Sequence, residues 1–193
     1  MTAAHCIIGG ASSLVIAGAN NRNVVETNQQ RRTVQSGGFR IHALYNPRTL
    51  LNDVATLITP TSFTFNTFVR QIALATGTET FAGLTATASG FGRTSDGSSA
   101  TSAQVRFVAM PVITNAACAA VYGIVTASNI CTSTAGGRGT CNGDSGGPLT
   151  IQRGGSLQIG VVSFVATAGC SAGFPAGFAR VTSFIPWINN NRS

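Results

Sequence analysis

Apolar residues recur at every second position through several short stretches of this chain, and each stretch stops at glycine, proline or a polar cluster. "SSLVIAGA", "GGFRIHALY", "DVATLI", "GLTATASGF", "AQVRFVAMPV", "LQIGVVSFV" and "AGFARVT" read as strands; most alternate, and "GVVSFV" reads as a buried run. Two stretches switch to helical spacing. "TNAACAAVYG" (114–123) follows an Asn or Thr cap, and the closing "VTSFIPWINNN" lines up Phe184, Trp187 and Ile188 as a docked terminal helix. "GRTSDGSSA" (92–100) has the composition of a flexible surface loop, and "ATGTET" (75–80) that of a linker. The pattern predicts a mostly β protein with no internal repeat.

Composition narrows this further. A chain of 193 residues suits one large all-β unit or two small barrels. Charged residues make up 9% and hydrophobic ones 44%, which argues against disorder, and 23 glycines with 11 phenylalanines favour short strands and tight turns over helices. All 12 basic residues are arginine, and against 5 acids they leave a net charge of +7. They are scattered, with Arg31 and Arg32 the only adjacent pair and no aromatic stacking platform, so they read as a solvated surface and not as a nucleic-acid site. No apolar run approaches the ~20 residues of a membrane span, and no signal peptide opens the chain. The five cysteines, Cys6, Cys118, Cys131, Cys141 and Cys170, lack metal-site spacing, and His5 beside Cys6 cannot by itself hold zinc. Disulfides are the expected use, which implies an oxidising compartment, and the odd count leaves one thiol over.

One stretch carries most of the chemical information. "GTCNGDSGGPL" (139–149) sets Ser145 between Gly-Asp and Gly-Gly, ahead of Pro148. Glycines on both sides let the backbone approach a substrate carbonyl, and the N–H groups of Gly143 and Ser145 can then point at one oxygen as an oxyanion hole. Such a serine needs a base, and the chain holds only His5 and His42. His5 follows small residues that leave its ring room; His42, at an alternating position in "RIHALYNP", reads as an exposed strand histidine. For an acid to orient the base there are Asp53, Asp96 and Asp144. Asp96 lies in the Ser/Gly loop, where turn formation explains it. Asp144 adjoins the serine and should point away from the site. Asp53, in "LLNDVATLI", enters an apolar strand, where a carboxylate must be paired. The order His5, Asp53, Ser145 follows.

"TAAHC", "NDVATL" and "GDSGGPL", in that order, resemble the three catalytic motifs of the chymotrypsin-like (trypsin-fold) serine peptidases. The resemblance covers essentially the whole chain, and "GRGTCNGDSGGPL" with "SFVATAGCSAGFPAGFARV" is most similar to the chymotrypsin and brachyurin-like enzymes of insects and crustaceans. It implies two antiparallel β-barrels with the site between them: 1–70 as what remains of the first, 71–78 as a linker, 79–180 as the second, and 181–193 as terminal helix and tail. It implies Cys118 paired with Cys131, Cys141 paired with Cys170, and Cys6 unpaired because its family partner lies upstream of His5. By the same resemblance Met1 looks internal to the strand that delivers His5, so that secretion signal, activation peptide and opening strands are expected to precede it in the full-length, secreted protein.

The resemblance further implies acyl transfer without metal or cofactor. His5 takes the Ser145 proton, Asp53 fixes the tautomer of His5, and Ser163 hydrogen-bonds Asp53. Glu26 stands alone in "NNRNVVETNQQ", so no calcium loop is expected. The pocket for the residue before the cleaved bond would be lined by Gly139, Thr140, Phe164, Val165 and Ala176, with Val165 on its wall and no carboxylate, which favours apolar side chains. Expected partners are protein or peptide substrates and protein inhibitors, with the chain itself a monomer. The competing expectation is a non-catalytic homologue or an inactive truncated fragment. In it Asp144 lacks the ammonium that the family supplies, and the serine turn relaxes outward with the Gly143 N–H.

Overall fold

Two short antiparallel ribbons make up the first part of the chain in the computed structural model, which describes residues 1–192. Ser12–Ala17 (β1) pairs with Gln30–Gln35 (β2) from Ser12 opposite Gln35 to Ala17 opposite Gln30. The sequence pattern misses β2, because a two-stranded ribbon buries only Val34 of its six residues. Phe39–Ile41 (β3) pairs with Ala55–Leu57 (β4), and Thr2 bridges Ala55 on the other side of β4. The expected strand from 37 to 45 stops at Ile41, where the chain turns as the Tyr45 N–H bonds the His42 carbonyl. Ala73–Leu74 (β5) then lies parallel to a strand of the second part.

The second part closes on itself. Thr85–Gly90 (β6), Arg106–Ile113 (β7), the eight-residue helix Asn115–Tyr122 (α1), Asn129–Thr132 (β8), Pro148–Gln152 (β9), Ser156–Phe164 (β10) and Ala176–Arg180 (β11) follow in order. The strands run β11-β8-β7-β6-β9-β10, and β10 pairs again with β11, giving a closed six-stranded barrel. Closure lets short alternating strands bury one face and leaves no edge. Inward residues Met110, Ile130, Leu149, Ile159, Val162 and Phe178 form the core. The register of β10 on β11 shifts between Val162 and Phe164, so Ser163 lies at a bulge. β8 and β9 escape the pattern reading: all four residues of β8 are buried, so it has no alternation to see.

Both expected helices form. α1 starts at Thr114, whose hydroxyl accepts the Ala117 N–H at 3.2 Å, and ends at Gly123 in the left-handed region (φ 68°). Val181–Asn190 (α2) continues directly from β11. Its buried Val181, Phe184 and Ile188 pack with Ala3, Val54, Val161 and Ala179, a cluster that joins the amino-terminal segment to the barrel. Ser193, at the end of the expected tail, lies outside the described residues. The all-β class, with its barrel and terminal helix, is therefore as expected. Among the described residues, no helix is long and apolar enough to cross a membrane.

Disulfides join Cys118 to Cys131, fastening α1 to β8, and Cys141 to Cys170; Cys6 is unpaired and exposed. Replacing Cys118 and Cys131 together by serine frees a 13-residue separation. We expect urea denaturation to show a loss of about 3 kcal/mol, with the native far-ultraviolet spectrum kept.

Candidate active site

Asp53 is 1% exposed, a setting in which an unpartnered carboxylate is strongly unfavourable. Its neighbours supply three donors. Oδ1 accepts the backbone N–H of His5 at 3.0 Å, while Oδ2 lies 2.7 Å from His5 Nδ1 and accepts the Ser163 hydroxyl at 2.6 Å. His5 reaches this position on a single 3-10 turn, Ala4–Cys6, because Ala3 and Ala4 are small enough to be fully buried behind it. The bulge in β10 turns Ser163 toward the carboxylate. Since an ionised carboxylate only accepts, Nδ1 carries the proton and Nε2 of a neutral ring is left as an acceptor. The bond to Asp53 first, and then the Cys6 sulfur, push the imidazole up to about 10 from 6.5, against the opposing effect of burial.

Ser145 sits on a tight turn between Cys141 and the start of β9. The Asp144 N–H bonds the Cys141 carbonyl, the Gly147 N–H bonds the Asp144 carbonyl, and the Gly146 N–H bonds Val162 of the barrel. Gly143 (φ 98°) and Gly146 (φ 77°) adopt left-handed backbone, and a Cβ at Gly146 would collide with Thr2 Oγ1. Among the described residues, neither the Gly143 nor the Ser145 N–H has an acceptor, and Ser145 Oγ makes no hydrogen bond, to His5 included.

The structure departs from the expectation for Asp144. Its carboxylate turns away from the serine, but it is not left without partners: Oδ1 accepts the Gly92 N–H at 2.7 Å and Oδ2 the Cys141 N–H at 2.9 Å. With both oxygens held, the turn has no reason to open, and Gly143 stays packed against Gly92 and Thr101.

Of the five residues expected to line the pocket, Gly139 and Thr140 border a cavity of about 270 Å³, together with Asp144, Cys141 and Cys170. The Thr140 hydroxyl is buried without a partner. Phe164, Val165 and Ala176 do not line this cavity. Phe164 packs over Gly177 and meets Tyr122 edge-on at 5.2 Å, Val165 packs against the barrel core, and Ala176 is 1% exposed within that core. Arg93, Arg106 and Arg138 also border the cavity.

Two further residues differ from the sequence reading. His42 is not an exposed strand histidine: its ring lies 5.5 Å from Phe184 and 5.2 Å from Trp187, and burial lowers its pKa. Asp96 does more than shape its own turn, for its carboxylate accepts the N–H groups of Cys170 and Ser171 at 2.6 and 2.9 Å. Asp96, Cys141 and Cys170 gather within 4.8 Å, yet the two sulfurs are bonded to each other, so the group offers a metal no thiolate. Nothing in the pattern around Asp96 signals this reach, which spans 74 residues.

Residues 1–188 match the protein family described as Trypsin. Brachyurin of Leptuca pugilator is 43% identical over 188 residues, covering 97% of this chain and 80% of the relative. Collagenase of Hypoderma lineatum is 39% identical over 197 residues, covering 99% and 71%. Chymotrypsin of Phaedon cochleariae is 33% identical over 194 residues, covering 99% and 67%. The solved structure of HL collagenase superposes with a TM-score of 0.87 at 36% identity, over 98% of this chain and 80% of that one. The family match spans the segments that carry His5, Asp53 and Ser145, and the chain belongs to the trypsin family of serine proteases.

Proposed function

We propose that the protein is a secreted serine endopeptidase that cleaves after apolar residues, with Ser145 as nucleophile, His5 as base and Asp53 as its orienting acid. The observation that carries this is the buried Asp53 carboxylate holding His5 by Nδ1, in a chain whose Ser145 turn leaves two backbone N–H groups free. In the first step the Ser145 hydroxyl gives its proton to Nε2 of His5 in its neutral form, which gains population as pH rises toward about 10, as Oγ bonds the peptide carbonyl carbon. The negative charge moves to the carbonyl oxygen, where the Gly143 and Ser145 N–H groups receive it. His5 then passes its proton to the leaving amine as the C–N bond breaks. Water, deprotonated by the same ring, releases the acyl group and restores Ser145. No cofactor enters these steps.

Specificity follows from charge. Gly139, Thr140 and Ala176 contribute no carboxylate, and the cavity that Gly139 and Thr140 border is edged by Arg93, Arg106 and Arg138 against Asp144 alone. The two Asp144 oxygens already accept the Gly92 and Cys141 N–H groups, so a substrate guanidinium would be desolvated without a free counter-ion. A digestive role in an oxidising compartment is consistent with two disulfides and with relatives named brachyurin and collagenase.

A fluorophosphonate probe should label the protein and fail to label Ser145→Ala, and His5→Ala should lower kcat by about 10²–10⁴. A folded protein that takes no label would instead be a non-catalytic homologue. In a peptide series varied only before the scissile bond, Phe or Leu should give the higher kcat/KM, and faster cleavage after Arg would refute the apolar assignment.

The His5–Asp53 pair also links stability to pH. Its folded-state pKa lies above the unfolded value, so the stabilisation is complete below about pH 6.5 and fades as pH rises toward about 10. Asp53→Asn should therefore lower Tm more near pH 6 than near pH 10. Cys6→Ser should lower the His5 pKa, read from the downfield Nδ1 proton in NMR.

A further inference from the structure

We infer that Asp96 is a positioning residue for the substrate pocket, a clasp that ties loop 92–100 to the segment carrying Cys170. The inference rests on the proposal that Ser145 is the nucleophile and that the pocket lies between the segments around Gly139 and Cys170.

The loop touches both sides of that site. At its start the Gly92 N–H bonds Asp144 Oδ1 at 2.7 Å and the Arg93 N–H bonds the Asn142 carbonyl at 2.9 Å, so it backs the turn that presents Gly143 and Ser145. Four residues later Asp96 crosses to the opposite side, where its two oxygens take the consecutive N–H groups of Cys170 and Ser171. These bonds, Ser171 first, hold the carboxylate below its usual range, so it is ionised and acceptor-only at neutral pH. Gly169 (φ 123°) is shaped to admit it: a Cβ there would lie 2.7 Å from Asp96 Oδ2. The Cys141–Cys170 bridge closes the circuit by joining the two sides covalently.

The bridge and the Gly169 N–H bond to the Ala166 carbonyl hold the 169–171 segment from its own side, and the Asp96 bonds add the attachment to loop 92–100 that fixes its angle across the site. Losing them should loosen substrate binding while leaving Ser145, His5 and the oxyanion donors where they are.

The test compares the protein with Asp96→Asn, Asp96→Ala and Gly169→Ala, using a fluorogenic peptide with Phe before the scissile bond. Asp96→Ala should raise KM about three- to tenfold, with kcat and the rate of fluorophosphonate labelling unchanged within about twofold. Asp96→Asn, which keeps one acceptor oxygen, should fall between. Gly169→Ala, whose methyl displaces the carboxylate from the other side, should match Asp96→Ala and decides the matter should that variant fail to fold. In NMR the Cys170 and Ser171 amide protons should move upfield in Asp96→Asn. Unchanged KM in all three variants, or a fall in kcat at constant KM, overturns the role of Asp96 alone. Absence of peptide turnover by the unaltered protein overturns the hydrolase reading, and the positioning role with it.

Discussion

The rest of the structure is arranged around one unfavourable act, the burial of the Asp53 carboxylate. Apolar groups close over it: Val54 beside it in sequence belongs to the cluster that also contains Ala3, Val161, Ala179 and Phe184. In such surroundings the charge persists only if donors reach it, and these come from segments 48 and 110 residues away. His5 must therefore stand on the turn after Thr2, which is why Thr2 bridges Ala55, and Ser163 must leave the ladder of β10, which is why that strand bulges. The constraint that fixes the fold here is also the one that gives His5 a single orientation. Folding and chemistry share the same three hydrogen bonds.

The serine side obeys a different logic. Ser145 is exposed to attack geometry because its turn is held from outside: by Val162 through the Gly146 N–H, by the bridge from Cys141, and by Asp144 gripping the Gly92 and Cys141 N–H groups. None of these hydrogen bonds uses a donor or acceptor of Ser145 itself. The turn is thus stiff while its two donors stay unoccupied, the condition that preorganised stabilisation of an oxyanion demands.

Much of this was legible in the sequence, and the limits are physical. Strands that bury one face advertise it by alternation, as in 85–90 and 106–113, whereas β2 hides because it buries only Val34 and β8 because it buries everything. Asp53 was legible because a charge in an apolar strand demands explanation, and Ser145 because few uses need glycine on both sides. His42 and Asp96 were not. Their neighbours in sequence satisfy an exposed strand and a turn, and only tertiary packing brings His42 to Trp187 and Asp96 to Cys170. The surroundings of Val165 were hidden for a related reason: identity at a position does not say how a side chain packs once β10 has shifted register, and Val165 lies partly buried against the barrel core.

The scarcity of acids ties these observations together. Each of the five carboxylates has a designated partner: Asp53 holds His5 and Ser163, Asp96 holds Cys170 and Ser171, and Asp144 holds Gly92 and Cys141. Glu26 accepts the Asn20 and Asn21 N–H groups, and Glu79 pairs with Arg153. Four of the five thus spend their charge on groups other than an arginine. The arginines must then find solvent or neutral oxygens, and Arg180 shows the latter: only 7% exposed, it donates to carbonyls of Ala127, Asn129 and Thr80 and to the Asn115 side chain. A net charge of +7 is therefore the residue of an architecture in which carboxylates serve as main-chain and histidine acceptors, and it leaves the cavity bordered by Gly139 and Thr140 with more cations than anions at its edge.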